Sequence, residues 1–484
     1  MSWKARKEHV ERVERVERVE REDLVMFINA CFACTRQQEF YSTSESQAIT
    51  IEFLHEYILG NYRRLYARTL AGGINHFNQA LIALNLLQVG APNNGADRRE
   101  EGALIAGALK RLPPQRVFSL FATLRERRVN NRRTRATIRK YLSERKDPIF
   151  DAIKYRGKVR AASAHAHLKL PGELGAFLFD LKKQARFNTD LLERFRQAHY
   201  SKEAVYTLPF TVAEGLAEKH GVPRDEFLAR IADKMTMGEK LRVQKSAARS
   251  GATTPSVDFS RIPLTKLALY ILAQSIAQRR ERCAEFSAAM REAAARTLRR
   301  APLRLGRVAT VLDSSYSSAG SSEKRRRPLG VALAASFLLG EASQAYRAFW
   351  SPHVGDDILV RAKGQTNLAT PLLDALDWAP DLIVIISDGF ENDPPLGAAE
   401  VARKYRRDLD PKGRVEIVHM NPVFDAENYA PRAIGAAIPT VGVRDAEDIP
   451  TMLGFARFAS GSAPLGELEA YLALRVQDLL KGAA

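Results

Sequence analysis

The sequence predicts two architectures in one chain: an all-α helical-repeat part, then an α/β domain of doubly wound, Rossmann-like type. Three observations carry this. From about residue 23 to 300 apolar residues recur at three- and four-residue spacing, the period of a helix with one buried face. From about residue 301 near-continuous apolar runs alternate with helical stretches, as in a mostly parallel sheet covered on both faces. The charge divides at the same place: of 74 Lys and Arg and 56 Asp and Glu, residues 301–484 hold 20 and 23, leaving 54 and 33 for residues 1–300. The first part therefore carries +21 and the second −3, and an asymmetry of that size points to a polyanionic partner for the helical part, nucleic acid before an acidic membrane.

The length of 484 residues exceeds what one hydrophobic core organises, so at least two domains are expected. They are placed at 1–22, a charged segment with repeated Val-Glu-Arg triplets, at 23–300 and at 301–484. The first residues lack the apolar run of a secretory signal, and no apolar stretch has the ~18–20 residues of a membrane span. With three cysteines, too few to staple a chain of this size, a cytoplasmic protein is expected.

Along the helical part, "QAITIEFLHEYILGNYRRLYARTL", "HFNQALIALNLLQ", "EGALIAGALKRL", "PQRVFSLFATLRERR", "TRATIRKYLSER" and "LTKLALYILAQSIAQRRERCAEF" each read as helix. Breaks at Gly72-Gly73, Pro113-Pro114 and Gly221-Val222-Pro223 make them hairpins, which stack naturally as solenoids. Cys31 and Cys34 sit in apolar "FINACFAC" with no second pair, which makes them core residues rather than half a zinc site. The run "RERRVNNRRTRATIRK" gathers Arg128, Arg132, Arg133, Arg135, Arg139 and Lys140 around Asn130 and Asn131. Guanidinium forks suit phosphates and stack on bases, and asparagine reaches base edges. Further on, "AIKYRGKVRAASAHAHLKLP" adds Lys158, Arg160, His165 and Lys169. A solvated helix face would carry similar charges.

In the second part, "GRVATVLD" reads as a strand, "PLGVALAASFLLGEAS" as a helix, "AYRAFW" and "DDILVRA" as a strand pair, and "TPLLDALDW" as a helix. "DLIVIISD", "AEVARKYRRDL" and "RVEIVHMN" follow as strand, helix and strand. Ligands of open α/β sheets bind beyond the carboxyl ends of strands. There Asp313, Ser315 and Ser317 leave the first strand at alternate positions, Asp388 ends a later one, and Thr366 precedes a helix, with Thr370 as its alternative. Two carboxylates and three hydroxyls, without His or Cys, suit Mg²⁺ or a similar divalent cation that keeps some water. Helix-capping aspartates and a tight serine turn would use the same residues. The basic stretch "SSEKRRRP" soon after brings cations near this point and favours a phosphate nearby, unless it is a solvated loop.

Asp-x-Ser-x-Ser, a Gly-x-Thr-Asn loop and a strand-ending Asp-Gly resemble the metal-ion-dependent adhesion site of von Willebrand factor A domains, over roughly residues 305–480. Coupled to basic helical repeats, with landmarks in "FINACFACTRQQEFYST", in residues 111–145 and in residues 152–171, the chain resembles the TROVE family of Ro ribonucleoproteins. That resemblance implies a HEAT-like helical ring completed by the A domain. It implies binding of single-stranded RNA ends and of structured noncoding RNA, and a protein carboxylate as a possible partner at the metal. A metal-dependent protein-interaction adaptor is the competing reading. No Ser-His-Asp order, phosphate loop or nuclease-type carboxylate cluster is present, so no enzyme is expected.

Overall fold

The computed structural model describes residues 21–181, 186–249, 257–460 and 465–481. The Val-Glu-Arg triplets lie outside the described residues, apart from Arg21. Residues group into two compact units, one of 21–78 with 262–478 and one of 79–261 with 479–481. These units do not follow the expected boundary at residue 300. Both ends of the helical stretch go with the sheet.

The second unit is helical. Among its elements are Gly95–Arg111, Pro114–Glu126, Arg132–Ser143, Pro148–Lys154 and Arg156–His165. Their boundaries follow local chemistry: Asn94, Asn131 and Asp147 cap by accepting from backbone N–H groups of the first turn, and prolines open two of them. Val117, Phe118, Leu120, Phe121 and Leu124 form the buried face of Pro114–Glu126, with Phe118 and Phe121 set edge-on to Tyr141.

The first unit holds a five-stranded, all-parallel sheet: β1 (Leu305–Asp313), β2 (Ser343–Ser351), β3 (Leu382–Ile386), β4 (Glu416–Asn421) and β5 (Thr440–Gly442), in the order β2-β1-β3-β4-β5. One face packs on Leu372, Ala375, Ala398 and Ala402 of the helices Ala369–Asp377 and Gly397–Lys404 through Ala309, Val311, Ile383, Ile385 and Ile417. The long helix Arg327–Ala342 is buried on nearly all sides and packs against Leu264–Ala273 and Cys283–Arg300. At Gly330 any Cβ would lie 2.6 Å from the Leu269 side chain, so glycine permits this contact. That packing explains why the last predicted repeats belong to the sheet-bearing unit.

"DDILVRA" is not a strand. It forms a short 3₁₀ turn, Asp357–Leu359, because the carbonyls of Ile358 and Val360 both accept from the Arg279 guanidinium, at 2.8 and 2.7 Å. Asp357 is likewise committed, to Ser336 and Trp350. Tertiary partners override the β propensity of the segment. The sequence reading also missed β5 and the helices Ile449–Ala459 and Leu465–Lys481.

Candidate functional site: strand-end oxygens and a cationic helical loop

The register places Leu312 beside Ile386, so Asp313 closes β1 and Asp388 lies two residues beyond the end of neighbouring β3. β1 lies between β2 and β3, and the helices leading to these two strands cover opposite faces. The crevice of an open α/β sheet forms at such a switch point. Asp313, Ser315, Ser317, Thr366 and Asp388 are all buried. The Ser315 N–H donates to Asp313 Oδ1 at 2.7 Å, the Phe390 N–H donates to Asp388 Oδ1 at 3.0 Å, and the Ser315 and Ser317 hydroxyls lie 3.3 Å apart. The Thr366 loop is held by Asn392, whose side chain accepts from the Thr366 N–H at 2.9 Å. Thr370 is exposed and bonded to Asn367, which leaves Thr366 as the inward hydroxyl.

Burial, and after it the Asp388 charge, raise the Asp313 carboxyl to about 7. Burial also raises Asp388, against the lowering influence of Ser317 and Arg432. Asp388 Oδ2 is buried and accepts no hydrogen bond. Two adjacent buried carboxylates with an orphaned oxygen, flanked by three hydroxyls, make a donor set that fits a hard divalent cation. Among the described residues no three His, Cys, Asp or Glu side chains gather to hold a metal, here or elsewhere, so this cluster relies on its hydroxyls.

A strap that sequence reasoning missed crosses the mouth of this site. The Tyr41 ring lies on Phe390 with centroids 4.0 Å apart, Phe40 meets Tyr316 edge-on, and Arg432 also stacks on the Phe390 ring, at 3.8 Å. Burial and the Asp388 charge raise the Tyr41 hydroxyl, and a hydrogen bond with Ser317 lowers it. The buried Glu39–Lys324 ion pair and the bond from Ser321 to the Gln38 carbonyl anchor the strap. No spacing in the sequence signals a contact between residues 285 positions apart.

In the helical unit, Arg128, Arg132, Arg139, Lys140, Lys158, Arg160 and Lys169 are exposed. Arg128 takes a left-handed backbone (φ 57°) at the end of its helix, and Arg160 lies over the Phe179 ring. Arg139 donates to the Ala166 carbonyl and His165 bonds the Val129 carbonyl, so the 127–131 loop and the 166–169 segment form one face. Three expectations change. Arg133 turns inward to Glu101 at 2.6 Å and to the Leu86 and Gly90 carbonyls, Asn131 is a helix cap that also donates to Leu87, and Asn130 Oδ1 is buried. Asn131 and Arg133 thus satisfy helix-end groups, and Asn130 Oδ1 points inward, rather than facing outward. Arg135 is half-buried on the Asn130 carbonyl, Lys158 donates to Ser119, and Lys140 has only a long contact with Glu144. Cys31 and Cys34 are core residues, as their apolar setting implies.

Fold and sites together define a class: helical hairpins joined to a parallel α/β domain with an oxygen-only strand-end cluster. The chain is similar in fold to the Ro (RSR) protein of Deinococcus radiodurans, with a TM-score of 0.52, 14% identity, and coverage of 85% of this chain and 94% of that one. No family model and no curated protein matches the chain.

Proposed function

We propose that the protein is an RNA-binding scaffold of Ro type, in which HEAT-like helical repeats hold noncoding RNA and single-stranded RNA ends, as part of RNA quality control or of a small cytoplasmic ribonucleoprotein. The carrying observation is the convergence of the fold likeness with a set of exposed cationic residues, Arg128, Arg132, Arg139, Lys140, Lys158, Arg160 and Lys169, on one helical unit. Phosphate contacts supply most sequence-independent affinity for RNA, and such a face is their usual source. No described helix is long and apolar enough to cross a membrane.

The α/β domain has the character of a von Willebrand A domain whose Asp313, Ser315, Ser317, Thr366 and Asp388 would hold Mg²⁺ or a similar cation. When bound, the ion would supply a Lewis-acidic docking point for an acidic group. The protein's own residues orient the hydroxyls, keep both carboxylates in place through backbone N–H groups and exclude bulk water with the Tyr41 strap. The reading is of a binding protein, not an enzyme. Exposed Tyr316 and Phe40 beside the cluster favour a protein partner there in addition to RNA.

The test replaces Arg128, Arg132 and Lys169 together by Gln and measures single-stranded RNA binding against salt. Arg133 is left intact because its side chain is committed to the buried Glu101 rather than to solvent. Binding should weaken for every RNA sequence, and the salt dependence should flatten by ~0.7 in slope per lost phosphate contact. Unchanged affinity and slope overturn the reading.

A further inference from the structure

The basic run Lys324-Arg325-Arg326-Arg327 is not uniform in the fold. Its outer members are neutralised, Lys324 by buried Glu39 and Arg327 by Asp445. Its middle members face a cavity of about 420 Å³ shared with Arg279 and Arg361. No acidic side chain lines it, and among the described residues none of the four arginines has a carboxylate partner. The cavity also meets the start of the 16-residue helix Arg327–Ala342, whose N-cap position, Arg326, is left-handed (φ 59°) and makes no side-chain capping bond. That end of the helix presents the positive pole of its dipole.

Four guanidiniums in one place repel one another, and the protein nevertheless builds them in. Arg279 is buried, fixed by the Ile358 and Val360 carbonyls, and keeps an Nε without a hydrogen-bond partner. Burial and the charges of Arg326 and Arg361 pull its guanidinium below the ordinary arginine value. The turn that presents Arg325 and Arg326 is equally specific: Gly320 has φ 68°, and a Cβ there would lie 2.4 Å from the Lys324 carbonyl oxygen. The Arg326 N–H closes this turn onto the Ala319 carbonyl at 2.6 Å. Strain, burial and repulsion are tolerated together where an anion offsets them.

We propose that this cavity is a phosphate site, shaped for the phosphomonoester of a nucleotide, either free or at the end of an RNA chain. A phosphomonoester brings nearly two charges and three acceptor oxygens, which matches arginine forks better than a single-charge halide does. Leu329 and Val360 give the cavity an apolar wall on which a ribose or base can rest. The size falls within the ~300–1,000 Å³ typical of small-ligand sites.

The full-length chain is titrated with inorganic phosphate and with AMP at ionic strength held constant with sodium chloride, following heat of binding and melting temperature. Single-stranded RNA oligomers with a 5′-phosphate, a 3′-phosphate or hydroxyl ends are compared in parallel. Phosphate and AMP should bind and raise the melting temperature, and R326Q with R361Q together should weaken both at least tenfold. A terminal phosphate that strengthens oligomer binding in the native protein and not in the double variant identifies an RNA end as the source. An effect confined to AMP and phosphate identifies a free nucleotide. Since Arg326 and Arg361 line the cavity without ion pairs, the double variant should melt no lower than the native protein in chloride alone, which separates lost binding from lost fold. Phosphate acting no more strongly than chloride, or binding that survives the double substitution in a folded variant, overturns the proposal. Oligomers with hydroxyl ends report on the RNA-binding reading independently of this outcome.

Discussion

The Tyr41 ring rests on the Phe390 ring, 4.0 Å between centroids, two residues beyond Asp388 in the chain. The segment between the helical residues 21–33 and the helix Ser44–Asn61 thereby covers the oxygen cluster at the end of the sheet. Aromatic pairs of this kind contribute ~0.5–1.5 kcal/mol beyond their area. Y41A should destabilise the strap by about that amount and raise amide hydrogen exchange over residues 36–43 while leaving β1 and β3 protected; Y41F should restore the protection. Equal exchange in native protein and Y41A would mean that the stacking does not hold the strap.

Glu39 and Lys324 form the second anchor, and both side chains are almost fully buried. Burial raises the Glu39 carboxyl and the Lys324 charge opposes that shift. Removing one partner strands a charge away from water, which costs ~3–5 kcal/mol, whereas replacing both by apolar groups of similar size is often neutral. K324M alone should therefore lower the denaturant midpoint strongly. Adding E39L should recover most of the loss, and a double variant as unstable as the single would contradict this account.

What the sequence discloses is what lies close along the chain. Asp313, Ser315 and Ser317 are readable because strand periodicity alone aligns alternate residues, and β1 ends where its apolar run ends. Asp388 is readable for the same reason on β3. The strap is not, because Glu39 finds Lys324 only when helices from both ends of the helical stretch pack on the sheet unit. Nor is the difference between Arg132 and Arg133, adjacent in sequence and alike in charge, decided locally: helix phase turns one outward and the other to Glu101. "DDILVRA" has strand composition and loses its carbonyls to Arg279, a residue 79 positions earlier than the first of them.

His55 supplies a pH-dependent test of the N-terminal packing. Asn78 donates its amide to the carbonyls of Ala30, Cys31 and Cys34, so its Oδ1 must accept, and the His55 Nε2 carries the proton that it accepts, at 3.1 Å. The Tyr66 hydroxyl lies 2.8 Å from Nδ1. Burial lowers His55 to about 4, partly opposed by Asn78. The folded value lies below the ordinary ~6.5, so the unfolded chain binds the extra proton between these values. The stabilisation is complete above pH ~6.5 and is lost as pH falls toward 4. The stability gap between native protein and H55Q should narrow by about 2 kcal/mol from pH 7 to pH 5, one proton over ~1.5 units. A gap independent of pH would show that His55 titrates in the fold as it does in the unfolded chain.

The last prediction sets the strand-end cluster against the cationic loop. Without a divalent cation the two buried carboxylates oppose each other, so D313N, which keeps an oxygen for the Ser315 N–H, should be at least as stable as the native protein in chelator at pH 8. In millimolar Mg²⁺ the order should invert, because stabilisation by a bound ion grows with its concentration over its dissociation constant and the variant lacks one of only two charged ligands. The same variant should hold RNA within about threefold of native affinity, a difference below ~1 kcal/mol. The reason is placement: Asp313 lies in the sheet-bearing unit, and the exposed arginines Arg128, Arg132, Arg139 and Arg160 belong to the other unit. Melting curves in chelator and in Mg²⁺, with RNA titrations on the same samples, check all three outcomes. A D313N protein that melts like the native one in both buffers would remove the metal from this site, and one that loses RNA by tenfold or more while remaining folded would put RNA at the strand ends instead.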